Sequence, residues 1–80
     1  MTISDAITER LKKLCRERKI TINKLAVTCG ITQSTLENIV SGHSKNPKIS
    51  TIVRVCVGLN ISLKDFFNDP VFSKFEKVDS

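Results

Sequence analysis

Apolar residues recur along this chain at helical rather than strand spacing. Between Ser4 and Lys19, Ile7, Leu11 and Leu14 repeat at i, i+4 and i+7 with Cys15 beside them, which is one face of an amphipathic helix. Ser4 reads as its N-cap, with Asp5 in the first turn, and Arg10, Lys12, Lys13, Arg16, Arg18 and Lys19 fall mostly off the stripe. Thr21 caps a short second helix, Ile22 to Cys29, with Leu25 and Ala26 inward, and Gly30 ends it. Thr32 caps a third, Gln33 to Val40, with Leu36, Ile39 and Val40 inward and Ser41-Gly42 as its stop. A polar loop follows from His43 to Lys48, in which Pro47 disfavours helix at Asn46. The fourth helix runs from Ile49 or Ser50 to Gly58 or Leu59 on a stripe of Ile52, Val55, Cys56 and Leu59. Asn60-Ile61 turns the chain, and Ser62 with Asp65 three residues on resembles a capping box. It opens a short fifth helix, Leu63 to Asn68, expected to bury Leu63, Phe66 and Phe67. The pattern contains no strand alternation, internal repeat or low-complexity segment.

Residues 1–68 therefore form one all-α, five-helix domain, and residues 69–80 a C-terminal tail. The tail's Val71, Phe72 and Phe75 either fold back on the core, pair with a second subunit or stay loose. Eighty residues leave no room for a separate ligand-sensing domain, so an inducing signal is expected from a partner, abundance or proteolysis.

The most informative stretch is Thr21 to Gly42. Two short helices are joined by Cys29-Gly30-Ile31-Thr32: Gly for the tight turn, Ile to plug the angle, Thr to cap the next helix. Small Ala26 sits where a second helix must approach closely. A generic helical hairpin does not require that order, whereas a helix-turn-helix does, and its second helix can enter the DNA major groove.

These residues, together with Asn46-Pro47, Thr51-Ile52, Gly58-Leu59, Ile61-Ser62-Leu63 and Phe66-Phe67, resemble the helix-turn-helix domain of phage repressors and Cro proteins, the XRE or lambda-repressor-like family. The resemblance covers about residues 5–68. It implies sequence-specific binding of double-stranded DNA by a small transcriptional regulator, with a palindromic operator and a homodimer at least on DNA. It also implies a bacterial or phage-encoded, cytoplasmic protein. The chain departs from the family pattern at four positions: Lys19 where Gly is common, Ile22 where Gln often touches phosphate, and Cys15 and Val40 where an Arg–Glu pair often lies. Replacing both partners of a buried ion pair by apolar residues can be neutral or stabilising.

The third helix exposes Gln33, Ser34, Glu37, Asn38 and Ser41 opposite its apolar face. Gln and Asn can bond adenine bidentately, and Ser or Thr can serve several bases. Base contacts are expected from Gln33, Ser34, Thr35 and Asn38. Glu37 either repels phosphate or accepts from cytosine. Backbone contacts are expected from Thr21, Asn23, Thr32, His43, Ser44, Lys45, Asn46 and Lys48, drawn from helix N-termini and the loop after the recognition helix.

Charge agrees with a polyanionic partner. The formal net charge is +5, and eleven of the 13 Lys and Arg lie in residues 1–64 against four of the 8 acids, so the body is basic and the tail mildly acidic. No apolar run reaches membrane-span length, and the N-terminus lacks the basic start and apolar run of a signal peptide. Cys15, Cys29 and Cys56 are odd in number and lack paired C-x-x-C spacing, so neither a disulfide framework nor a metal site with His43 is expected. No catalytic constellation or Gly-rich phosphate loop is evident, so neither an enzyme nor a cofactor is expected. Two rivals remain: a protein-interaction module of antitoxin or adaptor type on the same fold, and an RNA binder on the same basic surface.

Overall fold

Thr2, not Ser4, starts the first helix. In the computed structural model, which describes residues 1–42 and 46–74, α1 spans Ile3–Arg18. Thr2 Oγ1 accepts from the Asp5 amide at 3.1 Å while the Asp5 carboxylate accepts from the Thr2 amide at 3.2 Å. This reciprocal capping box satisfies two N–H groups that the helix itself cannot. Ser4 lies within the first turn and is buried. The remaining helices are α2 Ile22–Cys29, α3 Gln33–Val40, α4 Ile49–Leu59 and α5 Leu63–Phe67, followed by a 3-10 helix, Pro70–Ser73. The described residues contain no strand, so the all-α, five-helix expectation holds.

Three of the connections use one device. At Lys19-Ile20-Thr21, Gly30-Ile31-Thr32 and Asn60-Ile61-Ser62, the first residue is left-handed, with φ of 56°, 66° and 56°. The isoleucine amide then reaches back five residues, to Cys15, Ala26 and Cys56 carbonyls at 3.0, 3.0 and 2.9 Å. These are Schellman endings, in which the residue after the left-handed one is usually apolar. Each isoleucine packs on the core, and the Thr or Ser behind it caps the next helix. Lys19 occupies a conformation that costs an L-residue with a β-carbon about 1 kcal/mol or more. Lys19→Gly should therefore raise stability by about 0.5–1 kcal/mol, the relief being partly offset by the freer unfolded chain. Thermal unfolding would register this as a Tm several degrees higher, on the order of 4 °C.

The stripes read from the sequence converge on one core: Ile7, Leu11, Leu14 and Cys15 of α1, Leu25, Ala26 and Cys29 of α2, Leu36 and Ile39 of α3, Ile52, Val55, Cys56 and Leu59 of α4, and Phe66 of α5. Cys15 is buried and Val40 is packed on the same cluster, so the seam where the family resemblance implies an ion pair is apolar here. Leu63 departs from expectation. It opens the five-residue α5 with 42% of its surface exposed, because so short a helix turns only Phe66 fully inward.

Arg10 is the larger correction. It was expected off the apolar stripe, yet it is 8% exposed. Its Nε donates to the Phe66 carbonyl at 2.7 Å and Nη2 to the Asp65 carbonyl at 2.9 Å, while Nη1 lies 3.4 Å from Asp69 Oδ2. Its guanidinium carbon stands 5.9 Å from the centre of the Phe66 ring. Asp69 also accepts from Lys13 at 2.7 Å and from the Val71 amide at 2.9 Å. These bonds hold the 3-10 helix against α1, and Phe72 joins Phe66 and Phe67 with ring centres 6.0 and 4.9 Å away. The start of the tail thus lies on the core through residue 73, while Phe75 lies outside the described residues. No helix among the described residues is long and apolar enough to cross a membrane.

Candidate nucleic-acid interface

α3 is held from three directions. Its N-terminus is capped by Thr32, whose Oγ1 accepts from the Thr35 amide at 3.3 Å and donates to Thr35 Oγ1 at 2.6 Å. Near its C-terminus, the buried Thr8 of α1 donates to the Ile39 carbonyl at 2.8 Å, satisfying one of the last acceptors of the helix. The turn before it is tied to α4, where Arg54 Nη1 donates to the Gly30 carbonyl at 3.1 Å. Leu36 and Ile39 anchor the inner face. A helix fixed at both ends and along one side presents its outer face with little freedom, which suits it to reading a rigid surface.

That outer face is polar throughout. Gln33, Ser34, Thr35, Glu37, Asn38 and Ser41 are all exposed. Gln33 and Glu37 are joined across one turn, Gln33 Nε2 donating to Glu37 Oε1 at 3.0 Å. Eight residues span about 12 Å, close to the width of the B-DNA major groove.

An open groove runs beside α3, with Thr32, Thr35 and Asn38 on one side and Asn46, Lys48 and Arg54 on the other. It brings base-reading and backbone-gripping candidates to one place. Lys48 is exposed at the N-cap of α4, and no side chain caps that helix. Asn23 is exposed on α2, and Thr21 caps it by accepting from the Lys24 amide at 3.0 Å. The expectations for His43, Ser44 and Lys45 fall outside the described residues.

One feature was not read from the sequence. Arg54 is exposed on the groove wall, and the available signal was that it is the sole charge on α4. Ile22, at the position where the family resemblance implies a phosphate-binding Gln, is half-buried and packed on the core. The three cysteines are not at this surface. All are buried, and burial pushes each thiol's pKa up.

Comparison with known proteins points the same way. A family model described as the Cro/C1-type helix-turn-helix DNA-binding domain matches residues 10–70. The chain is 38% identical over 53 residues to the uncharacterized HTH-type transcriptional regulator RghRB of Bacillus subtilis, covering 66% of this chain and 38% of that protein. It is 34% identical over 70 residues to the HTH-type transcriptional regulator SlrR of the same organism, covering 86% of this chain and 45% of that one. The chain thus spans less than half the length of either relative. Among solved structures, the crystal structure of the prophage Lp1 protein 11 matches with a TM-score of 0.80 and 37% identity, over 94% of this chain and 99% of that one.

Proposed function

Because the chain belongs to the family of Cro/C1-type helix-turn-helix DNA-binding domains, we propose that it regulates transcription by reading duplex DNA with α3 in the major groove. The observation that carries the reading is the wholly polar outer face of a helix fixed by Thr8, Thr32 and Arg54 beside a groove holding Lys48. Gln33, Ser34, Thr35 and Asn38 contact bases. Thr21, Asn23, Thr32, Asn46 and Lys48 contact the backbone, joined by His43, Ser44 and Lys45 of the adjoining loop and by Arg54. The half-burial of Ile22 removes one side chain from the phosphate-binding set without removing the amide groups at the start of α2.

Two copies bind a palindromic operator, their recognition helices about one DNA turn, roughly 34–36 Å, apart. The domain measures 35 × 24 × 21 Å, so neighbours at that spacing lie within reach of each other. What favours self-association is the outer side of α4, where Ile49, Val53 and Val57 are exposed at i, i+4 and i+8. A bacterial or phage origin accords with the relatives above.

Selection of bound duplexes from a randomised pool at about 0.1 M salt tests the reading, since the phosphate term falls steeply at higher salt. An enriched palindrome supports it and gives the half-site spacing. No enrichment by folded protein would favour the adaptor reading instead. On an enriched site, Lys48→Ala should weaken binding evenly across sequences and reduce the slope of log K against log salt by about 1. An unchanged slope would remove Lys48 from the phosphate set.

A further inference from the structure

Glu37 is an odd residue to find on a face turned towards a polyanion. It is exposed, one turn from Gln33, on the recognition helix of a domain with net charge +5. A carboxylate there repels phosphate and should lower affinity for any duplex. Its contact suggests what it supplies in return: Oε1 accepts from Gln33 Nε2 at 3.0 Å.

A glutamine amide has two ends of nearly the same shape and opposite polarity, an acceptor oxygen and a nitrogen with two N–H donors. An ionised carboxylate only accepts. It therefore admits one of the two amide orientations, because turning the amide over would set oxygen against oxygen. With one N–H engaged by Glu37, Gln33 has its oxygen and one N–H left. That acceptor–donor pair complements adenine, which offers the N6 donor beside the N7 acceptor in the major groove. It does not complement guanine, whose O6 and N7 both accept. A glutamine free to turn, with both N–H groups available, would discriminate less between the two purines.

We propose that Glu37 is a positioning residue for base selection: it fixes the Gln33 amide so that Gln33 reads adenine and rejects guanine. The inference rests on the DNA-binding reading above.

Binding of single-base variants of the selected duplex by wild type, Gln33→Ala, Glu37→Met and Glu37→Gln tests it. All three substitutions fall on exposed helical positions and use residues compatible with helix, and far-UV circular dichroism confirms the fold. Both Glu37 variants remove the charge, but only glutamine keeps an acceptor that can hold the amide. We expect Gln33→Ala and Glu37→Met to flatten the adenine-over-guanine preference at the same single base pair, by about fivefold or more, the scale of one bidentate contact. Glu37→Gln should retain most of that preference, and other positions should be unaffected. Both Glu37 variants should also bind every duplex more tightly, which reports charge and not positioning.

If Glu37→Met keeps the wild-type preference, or Glu37→Gln loses as much as Glu37→Met, the positioning role is overturned. Loss of a cytosine preference in its place would mean that Glu37 reads a base itself, which also overturns it. No preference by wild type at any position would overturn the DNA reading, and this inference with it.

Discussion

Arg10→Ala should lower the unfolding free energy by about 3 kcal/mol, within the roughly 3–5 kcal/mol seen when one partner of a buried charge pair is removed. An 80-residue domain has about 4–12 kcal/mol in all, so the variant should sit near the edge of folding. Two carbonyls at the end of α5 would lose a charged donor, and the Asp69 carboxylate would lose one of its two cations. Arg10→Lys should recover little, because a point charge cannot bond two carbonyls and a carboxylate as a planar fork does. Urea unfolding of the three proteins would decide, and a loss below about 1 kcal/mol in Arg10→Ala would mean that the bonds are worth no more than neutral ones.

Acid should act through the same cluster. The Lys13 hydrogen bond, aided by the Val71 amide, holds the Asp69 carboxyl below its ordinary pKa despite burial, which acts the other way. A carboxyl depressed in the folded state adds stability that is fully present above the unfolded value of about 3.9 and is lost as pH falls through the folded one. Asp69→Asn should flatten that part of the acid dependence while leaving stability at pH 7 lower than wild type.

Gly58→Ala should also destabilise, and here the sign is the informative part. In an unobstructed helix interior the change would stabilise by about 1 kcal/mol. At Gly58 an added Cβ would stand 2.5 Å from Cys29 Sγ, 2.9 Å from its Cα and 3.0 Å from its Cβ. A side chain can turn away, but the Cα can yield only if α2 and α4 separate. Overpacking of this kind costs about 1–3 kcal/mol, so a net loss is expected. Adding Cys29→Ala should restore only part of it, since the contacts at Cα and Cβ remain. DNA affinity should fall as well, because the same approach sets the turn at Gly30 against Arg54. Thermal unfolding of the single and double variants separates these outcomes, and a Gly58→Ala protein more stable than wild type would show that the helices part easily.

The sequence was most legible where one residue's chemistry dictates its own backbone. α2 begins at Thr21 and ends at Gly30, and α3 begins at Thr32, as read, because caps and a left-handed glycine act locally. The same logic applied to Thr2 with Asp5, three residues apart, but Ser4 next to the acid was read as the cap; the reciprocal Thr2–Asp5 bonds and the burial of Ser4 correct it. Arg10 was misjudged although 7, 10, 11 and 14 is a helical stripe. Charge was read as exposure, and the carbonyls that accept it lie 55 and 56 residues away. The approach of Gly58 to Cys29 was equally invisible, since it depends on how two helices cross. At the proposed DNA interface, residue types and helix face followed from periodicity and the family resemblance. The Gln33–Glu37 bond and the groove wall of Arg54 required coordinates.

The buried cysteines give this small domain its own probes of motion. Cys15, Cys29 and Cys56 lie on α1, α2 and α4, each shielded and each with its thiol pKa raised. A thiolate-selective reagent has little to attack until a helix lifts away. Labelling rates at the three sites therefore report separately how often each helix opens, without any added dye or mutation. With DNA bound, a slower rate at Cys29 than at Cys15 would locate the quieted motion in the helix that precedes the reading head.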